Sequence, residues 1–221
     1  GQIWAFSDVP LLISQARSES EVREVFKDLT RTRTYLVRLD IGPDTDAAAI
    51  KAYWRSGGVS GYRRKDIEPL IESIQETGEL VRLDLAHVMP PLARKWLYTY
   101  PGPEHEAQGI LPDCHWTSLN YFNYDPHEYL LDSRLATAKV LEDYEAVDAP
   151  YAYGDILFFL DNTTGDAFHS CVYLAEDLVF TKNGRNQMAP WIISTMDDIS
   201  RIYLSAREGH IQSYRRRVVA P

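Results

Sequence analysis

The sequence has few cysteines and no long apolar run. Two of its 221 residues are cysteine, Cys114 and Cys171, which is too few for the disulfide framework of a small secreted domain. No run of about 18 apolar residues is present, so no transmembrane helix is expected. The segment GQIWAFSDVP has neither a basic start nor a long apolar core, so it does not resemble a signal peptide. The cellular location stays open, and a periplasmic or secreted location is expected if a leader has been removed.

The sequence also lacks a basic excess and any recognisable metal-binding motif. A net charge of −9 argues against a protein that binds nucleic acid through phosphate contacts. The densest basic run, Arg215-Arg216-Arg217, is short and is expected to belong to a terminal strand. No C-x-x-C or H-E-x-x-H spacing occurs. We therefore expect no nucleic-acid partner, no metal site and no cofactor.

The pattern of apolar residues predicts an α+β protein. Residues 1–99 read as helices mixed with short strands, among them a helix capped by Ser18 with Glu21 three positions later. The tetrapeptide VRLD occurs at 37–40 and again at 81–84, and both copies read as amphipathic strands. From Cys114 onward, a helix over about 114–123 and a second helix through SRLATAKVLEDY precede a run of strands. Helices followed by antiparallel strands are typical of the α+β class.

Three apolar runs in the second half predict the centre of an antiparallel sheet. These runs are GDILFFL, AFHSCVYLA and LVFTK, and the connectors DNTTGD and ED between them suit hairpins. Two further segments, IYL and YRRRVV, are expected to close the sheet as strands. A helix around TMDDIS is predicted to precede them.

Cys114 stands at a predicted helix start, directly after Asp113. Asp is a good helix cap, and a thiol in the first turn of a helix gains a lowered pKa and a nearby backbone N–H for an oxyanion. The residue alone leaves two interpretations open, because free cysteines are often small buried hydrophobes. A nucleophile also needs a histidine base, and that base needs a polar group to orient its ring.

His169 is the best candidate for that base. It begins the apolar strand AFHSCVYLA, whereas the other histidines fall in loops, at strand ends or beside the cysteine itself. The alternative is a structural histidine at a sheet edge, whose ring nitrogens are hydrogen-bonded and which has no catalytic role. Cys171 lies on the same side of the strand by the period of two. We expect Cys171 to pack against the helix, although a disulfide with Cys114 is conceivable.

The third polar group should come from the neighbouring strand, LVFTKNG. Thr181 and Asn183 share one of its faces, whereas Lys182 points away. An Asn side chain can accept the imidazole N–H, so Asn183 is preferred and Thr181 is the second choice. Asn183-Gly184 is also a common turn sequence, and this alternative stays open.

Taken in order, these segments resemble the NlpC/P60 family of papain-like cysteine peptidases. The family pattern is Asp-Cys opening a helix, a Gly-Asp-aliphatic-aromatic-Phe strand, and a strand of the form His-x-x-(I/V)-Tyr-Leu. Here the corresponding elements are Asp113-Cys114, then GDILFF at 154–159, then HSCVYL at 169–174. The closing YRRRVV is similar to the basic final strand of the family. The resemblance spans about residues 100–221.

The resemblance implies a papain-like catalytic domain over 100–221, with residues 1–99 as an α-rich accessory region. It implies a thiol hydrolase that cleaves an amide through a thioester, with Cys114 as nucleophile and His169 as base. The expected substrate is a small peptide or amide, for which a peptidoglycan stem peptide is the family's example. A family tyrosine before the nucleophile corresponds to Tyr100 or Tyr98.

Several positions depart from the family pattern. His115 and Trp116 replace the usual Ser-Gly behind the nucleophile, and we expect both to bind substrate. Cys171 replaces a glycine, and the family's third histidine falls near Thr181. No wall-binding SH3-like module is recognisable in 1–99. Two other functions therefore stay open on the same fold, a non-catalytic binding module and an acyltransferase with an apolar channel at Cys114.

Overall fold

A computed structural model of the chain describes residues 8–55, 62–102, 105, 109, 111–205 and 207–217. The chain divides into two compact units, Gly1–Arg33 and Thr34–Pro221. The described part of the first unit consists of helices α1 (Val9–Gln15) and α2 (Glu19–Leu29). The predicted cap of α2 is confirmed, because the Ser18 hydroxyl accepts a hydrogen bond from the backbone N–H of Glu21 at 3.2 Å.

The second unit mixes helices with two antiparallel sheets, which confirms the α+β class. Its described helices are α3 (Ala47–Arg55), α4 (Tyr62–Glu76), α5 (Pro91–Trp96), α6 (Cys114–Leu119), α7 (Ser133–Asp143) and α8 (Met196–Leu204). Its described strands are β1 (Arg38–Ile41), β2 (Val81–Asp84), β3 (Tyr144–Val147), β4 (Ile156–Asp161), β5 (Ala167–Ala175), β6 (Leu178–Lys182), β7 (Trp191–Thr195) and β8 (Gly209–Arg216). Short 3-10 turns lie at Leu85–Val88 and Glu128–Leu131.

The larger sheet has six strands in the order β3-β8-β4-β5-β6-β7, and all its pairs are antiparallel. The three central strands β4, β5 and β6 are the runs GDILFFL, AFHSCVYLA and LVFTK, so those predictions are confirmed. The two VRLD segments pair with each other in the small sheet, where Leu39 lies opposite Leu83.

The two faces of the large sheet carry different hydrophobic clusters. Side chains alternate along a strand, so Ile156 and Phe158 of β4 join the main core while Leu157 and Phe159 join a smaller cluster on the other face. The main core contains residues of α6 and α7. Ile199 of α8 belongs to the smaller cluster. Helices therefore cover both faces of the strands that carry the candidate site.

The boundary between the two compact units falls at Arg33, and the start of a catalytic domain at residue 100 stays a prediction. Segment 34–99 shares the main core with the sheet, to which it contributes buried side chains such as Ile41 and Ile67. It is also tied to the strands directly, since Tyr53 donates its hydroxyl to the Leu174 carbonyl at 2.7 Å. A division of the packed structure at 99 would therefore cut through one hydrophobic core.

The segment IYL is helical and not a closing strand. Thr195 caps α8 by accepting the backbone N–H of Asp198 at 3.1 Å, and the helix continues to Leu204. Its apolar residues Ile199 and Tyr203 are four positions apart, which is the spacing of one helix face. The prediction of a strand over IYL was therefore wrong, and the last strand, β8, begins at Gly209.

Candidate active site

Cys114 is the first residue of α6 and follows the cap of that helix. Asp113 is extended, with φ −115° and ψ −172°, and its carboxylate accepts the backbone N–H of Trp116 at 2.8 Å. A cap of this kind satisfies one of the free N–H groups at a helix start. The predicted cap and the place of Cys114 in the first turn are confirmed.

The thiol of Cys114 is buried, and burial controls its ionisation. The residue is 5% exposed. Loss of water disfavours the thiolate and the Asp113 carboxylate adds to the effect, so the pKa of the thiol is raised to about 12. The backbone N–H groups of Ser170, His115 and Cys114 itself act in the opposite direction. The lowered pKa expected from the helix start is not found, and the resting group is a neutral thiol.

His169 lies on β5, fully buried, and its tautomer is fixed by Thr181. The Thr181 hydroxyl donates to the Ser170 carbonyl at 3.2 Å and lies 3.3 Å from Nε2 of His169. A hydroxyl has one proton. When that proton is donated to the Ser170 carbonyl, the oxygen accepts the Nε2–H of the imidazole, and this arrangement leaves the lone pair of the neutral ring on Nδ1.

Nδ1 of His169 is buried and has no hydrogen-bond partner. Burial lowers the pKa of His169 well below its ordinary value, and the nearby His115 adds to this effect. The ring is therefore neutral, with a free lone pair in an apolar setting. Buried polar atoms are rarely left unpaired, which marks Nδ1 as a candidate functional group.

Cys114 and His169 share no hydrogen bond in the part of the chain that the structure describes, and Ser170 is the residue that lies next to both. It follows His169 in the chain, and its backbone N–H is the amide that acts on the thiol of Cys114. The described pairing of β5 with β6 extends only as far as Val172 and Phe180. Beyond that point the Ser170 carbonyl bonds to the Thr181 side chain. At Ser170 the backbone therefore interacts with two residues of the candidate site instead of with the neighbouring strand. The carbonyl bonds to Thr181, and the amide acts on Cys114.

Tyr203, a residue that the sequence did not single out, covers His169. The two rings are stacked, with their centroids 3.8 Å apart and an angle of 11° between their planes. Tyr203 lies on α8, on the segment that was predicted to be a strand. The helix cap at Thr195 and the helical spacing of Ile199 and Tyr203 were the signals that could have placed it.

Asn183, the preferred third residue, does not contact His169 in the part of the chain that the structure describes. Its side-chain oxygen accepts a long hydrogen bond from the Tyr203 hydroxyl at 3.5 Å. Asn183 lies just beyond the last residue of β6, Lys182, where the strand alternation no longer fixes its direction. The imidazole contact belongs to Thr181, the second choice.

His115 is hydrogen-bonded to β5. Its Nδ1 lies 3.0 Å from the Ser170 hydroxyl. Burial lowers the pKa of His115, so this ring is also neutral. His115 faces a cavity of about 800 Å³ between α7 and strands β4 and β8, lined mainly by apolar side chains such as Leu119 and Phe158.

Trp116, which was expected to bind substrate, is a core residue. It is 1% exposed and packs on Trp96 with ring centroids 4.8 Å apart. Trp96 in turn stacks on Trp191 at 5.3 Å. Because these rings fill the space beside α6, Trp116 offers no surface to a substrate in this structure.

Neither candidate tyrosine before the nucleophile has a described link to the thiol. Tyr98 donates its hydroxyl to the Tyr35 carbonyl at 2.9 Å and has a positive φ of 64°, so it is committed to the fold of segment 34–99. Tyr100 is partly buried. Its assistance to Cys114 stays a prediction.

Cys171 is fully buried on the sheet face that carries His169. Both cysteines are free thiols. Burial raises the pKa of the Cys171 thiol far above its ordinary value, and the neighbouring Cys114 adds to the shift. Cys171 packs among Leu157 and Val179, as a small hydrophobe would.

The Gly-Asp pair before β4 has a structural role. The Asp155 carboxylate receives two hydrogen bonds from Arg215 at 2.8 and 2.7 Å and a third from the backbone N–H of Ala152 at 2.7 Å. Arg215 lies on β8, in the basic run of the final strand. The pair therefore ties that strand to the start of β4.

Among the described residues, no helix combines the length and the apolar character that a membrane span requires. No group of three or more His, Cys, Asp or Glu side chains in the described ranges is placed to hold a metal ion.

Comparison of the chain with protein-family models, with curated proteins and with solved structures gave no match.

Proposed function

We propose that this protein is a cysteine hydrolase that cleaves an amide bond, with Cys114 as nucleophile and His169 as base. One observation carries the proposal. Nδ1 of His169 holds a lone pair without a partner, in a ring whose tautomer Thr181 fixes. The amide of the next residue, Ser170, acts on the thiol of Cys114. The base and its orienting group thus lie beside Ser170, whose amide also acts on the thiol. Nδ1 has no hydrogen bond to the thiol in the resting structure, so the proposal requires Sγ and Nδ1 to come together when the site opens.

The proposed first half-reaction forms a thioester. The thiol proton passes to Nδ1 of His169 while Sγ of Cys114 attacks the amide carbon. The oxygen of the tetrahedral intermediate is stabilised by backbone N–H groups at the start of α6. The C–N bond then breaks, and the leaving amine takes the proton from Nδ1.

The second half-reaction consumes one water. Nδ1 accepts a proton from the water as its oxygen attacks the thioester carbon. The C–S bond breaks, a carboxylic acid leaves, and Sγ recovers the proton. Thr181 accepts the Nε2–H throughout, so one nitrogen exchanges protons while the other keeps the ring in place.

The order of the elements supports a papain-like arrangement of the NlpC/P60 type. The helix that begins with Cys114 precedes the Gly-Asp strand, the His169 strand and the strand of Thr181, as in the family pattern. A cell-wall stem peptide is therefore the first substrate to test. The acyltransferase alternative draws on the apolar cavity beside His115 and would use the same thioester with a different acceptor.

The resting centre is closed to substrate. Cys114 is 5% exposed and His169 is fully buried, and the Tyr203 ring covers the imidazole. Turnover therefore requires a displacement of the side chains above the thiol. Entry of water into the opened site would also ease the burial that raises the thiol pKa.

The test is hydrolysis of peptidoglycan stem peptides and of small dipeptide amides by Cys114→Ala. We expect turnover to be lost while far-UV circular dichroism keeps the folded spectrum. Cys171→Ala is the matched control, because that thiol is buried among apolar side chains, and it should retain activity. Unchanged turnover in Cys114→Ala would overturn the proposal.

The burial of the centre favours a second candidate, a non-catalytic binding module. An inactive site that has kept the papain-like fold would be expected to contain a neutral thiol and a fully buried imidazole, as this one does. For this candidate, no amide is cleaved by the wild type, and Cys114→Ala binds stem peptides as tightly as the wild type. Thioester formation detected by mass spectrometry would exclude it.

A further inference from the structure

Lys182 is a buried lysine beside the candidate nucleophile. It ends β6 and is 0% exposed. It shares a sheet face with Phe180 by the period of two, whereas Thr181 faces His169. If the register of Val172 with Phe180 is continued, Lys182 lies opposite Ser170, whose amide acts on the Cys114 thiol.

The Lys182 ammonium is held by backbone carbonyls. Nζ donates to the carbonyl of Gly184 at 2.8 Å and to that of Asn186 at 2.7 Å, and it lies 5.8 Å from the centroid of the Trp191 ring. An ammonium has three N–H donors. Two are used by these carbonyls, so one donor remains in the part of the chain that the structure describes.

The loop that Lys182 holds is tied to both sides of Cys114. Arg185, within that loop, donates to the Leu111 carbonyl at 3.1 Å, shortly before the cap of α6. Trp191, over which Nζ lies, donates its indole N–H to the hydroxyl of Thr117 on α6 at 3.0 Å. The groups around Lys182 therefore also fix the helix start that carries the thiol.

Lys182 has acidic neighbours but no carboxylate ion pair among the described residues. The acidic groups that act on it are Asp113 and Cys114. Burial lowers the pKa of Lys182 to about 8, so it is still mostly protonated at neutral pH. Burying an ammonium without a paired carboxylate is unfavourable, and two carbonyls satisfy its hydrogen bonds without neutralising its charge.

We propose that Lys182 supplies the positive charge that stabilises the thiolate of Cys114 once the site opens. This inference rests on the proposed function, since only a working nucleophile needs a stabilised thiolate. Lys182 acts through Cys114 and is a positioning residue. Opposite charges in a buried site each favour the charged form of the other. The other ionisable side chains that interact with the thiol are Asp113, Cys171 and Tyr203.

A purely structural role for Lys182 makes a different prediction. If the lysine only fastened the carbonyls of Gly184 and Asn186, its loss would lower stability and leave the ionisation of Cys114 unchanged. The rate of thiol alkylation separates the two roles, because it reads the thiolate directly.

The experiment measures the alkylation rate of Cys114 by iodoacetamide near neutral pH in the full chain, where Lys182 is mostly protonated, with the labelled residue identified by mass spectrometry. Lys182→Met keeps much of the apolar stem and removes the charge. We expect alkylation of this variant to be at least about tenfold slower, which corresponds to a thiol pKa raised by about one unit. Lys182→Arg should restore most of the wild-type rate. Lys139→Met, which removes a lysine paired with Asp143 on α7, is the control and should match the wild type.

An unchanged alkylation rate in folded Lys182→Met overturns the inference. If that variant does not fold, Lys182→Gln decides the question by the same criterion, because its amide can still donate to a carbonyl. Failure of the proposed function is distinguishable, because it appears as unchanged hydrolysis in Cys114→Ala. The alkylation rate reads Lys182 whether or not an amide is cleaved.

Discussion

At the scale of single residues, the Thr181 hydroxyl determines which nitrogen of His169 is available. Its proton is used by the Ser170 carbonyl, and its oxygen can then only accept from Nε2. The lone pair on Nδ1 is a consequence of this pair of contacts. A histidine without them could carry its proton on either nitrogen.

Replacement of Thr181 tests this assignment. Thr181→Val keeps the shape and removes the hydroxyl, so we expect kcat/KM to fall by about tenfold, which corresponds to a hydrogen bond of about 1.4 kcal/mol. Thr181→Ser keeps the hydroxyl and should stay within a few-fold of the wild type. The two are compared in stem-peptide hydrolysis after their folding has been checked. Equal activity of Val and Ser variants would contradict the role of Thr181.

The choice between Thr181 and Asn183 shows what a strand pattern can predict. The period of two correctly put Thr181 on the face of His169. It could not show that β6 ends at Lys182. Asn183 lies beyond that end, so the alternation of side chains along the strand does not determine where its side chain points. The same pattern set Lys182 aside because it points away from His169.

At the scale of elements, the strands with strong apolar patterns were predicted well and the segment IYL was not. The runs that form β4, β5 and β6 are bounded by turn residues, and this kind of signal is reliable. Ile202, Tyr203 and Leu204 suit either a strand or a helix, and only the cap at Thr195 decides between them. Tyr203 was missed for this reason, since a strand residue there would not stack on His169.

The Gly-Asp element also carries a prediction about stability. Asp155 has a side chain that is 2% exposed, whereas its partner Arg215 is 41% exposed. Asp155→Ala removes three hydrogen-bond acceptor contacts from a buried position, so we expect the free energy of unfolding to fall by about 2–4 kcal/mol. Urea denaturation measures the change.

Arg201→Ala is the matched control for Asp155→Ala. The Arg201–Asp197 pair lies on the exposed side of α8, with side chains 72% and 65% exposed. Exposed pairs contribute little, so its denaturation midpoint should stay near that of the wild type. A similar loss in both variants would show that burial is not what gives Asp155 its importance.

At the scale of the whole molecule, one core joins segment 34–99 to the sheet. Composition and motif order suggested a boundary at 99, because the recognisable pattern begins only near residue 100. Long-range packing is not visible in such a pattern, since Ile41 and Ile67 read as ordinary apolar residues of local elements. Their burial against the second half shows that these residues help to support the candidate site.

The buried histidines should make the stability of the whole protein fall in mild acid. The pKa of His169 is lowered in the folded chain, so between that value and about 6.5, the ordinary pKa, the unfolded chain binds a proton that the folded chain does not. The free energy of unfolding therefore rises with pH in this window. As the pH falls below about 6.5, the contribution of the neutral His169 to stability decreases. His115 shifts in the same direction.

His169→Asn isolates the contribution of His169, because an amide does not titrate while His115 remains. We expect the wild type to lose stability between pH 6.5 and 5 more steeply than the variant, by up to about 1.4 kcal/mol per pH unit. Urea unfolding at several pH values gives both slopes. The absolute stability of the variant does not affect the comparison, because only the difference between the two slopes reports the proton that His169 binds on unfolding. Parallel slopes would contradict the prediction, because they would mean that His169 is protonated as readily in the folded chain as in the unfolded one.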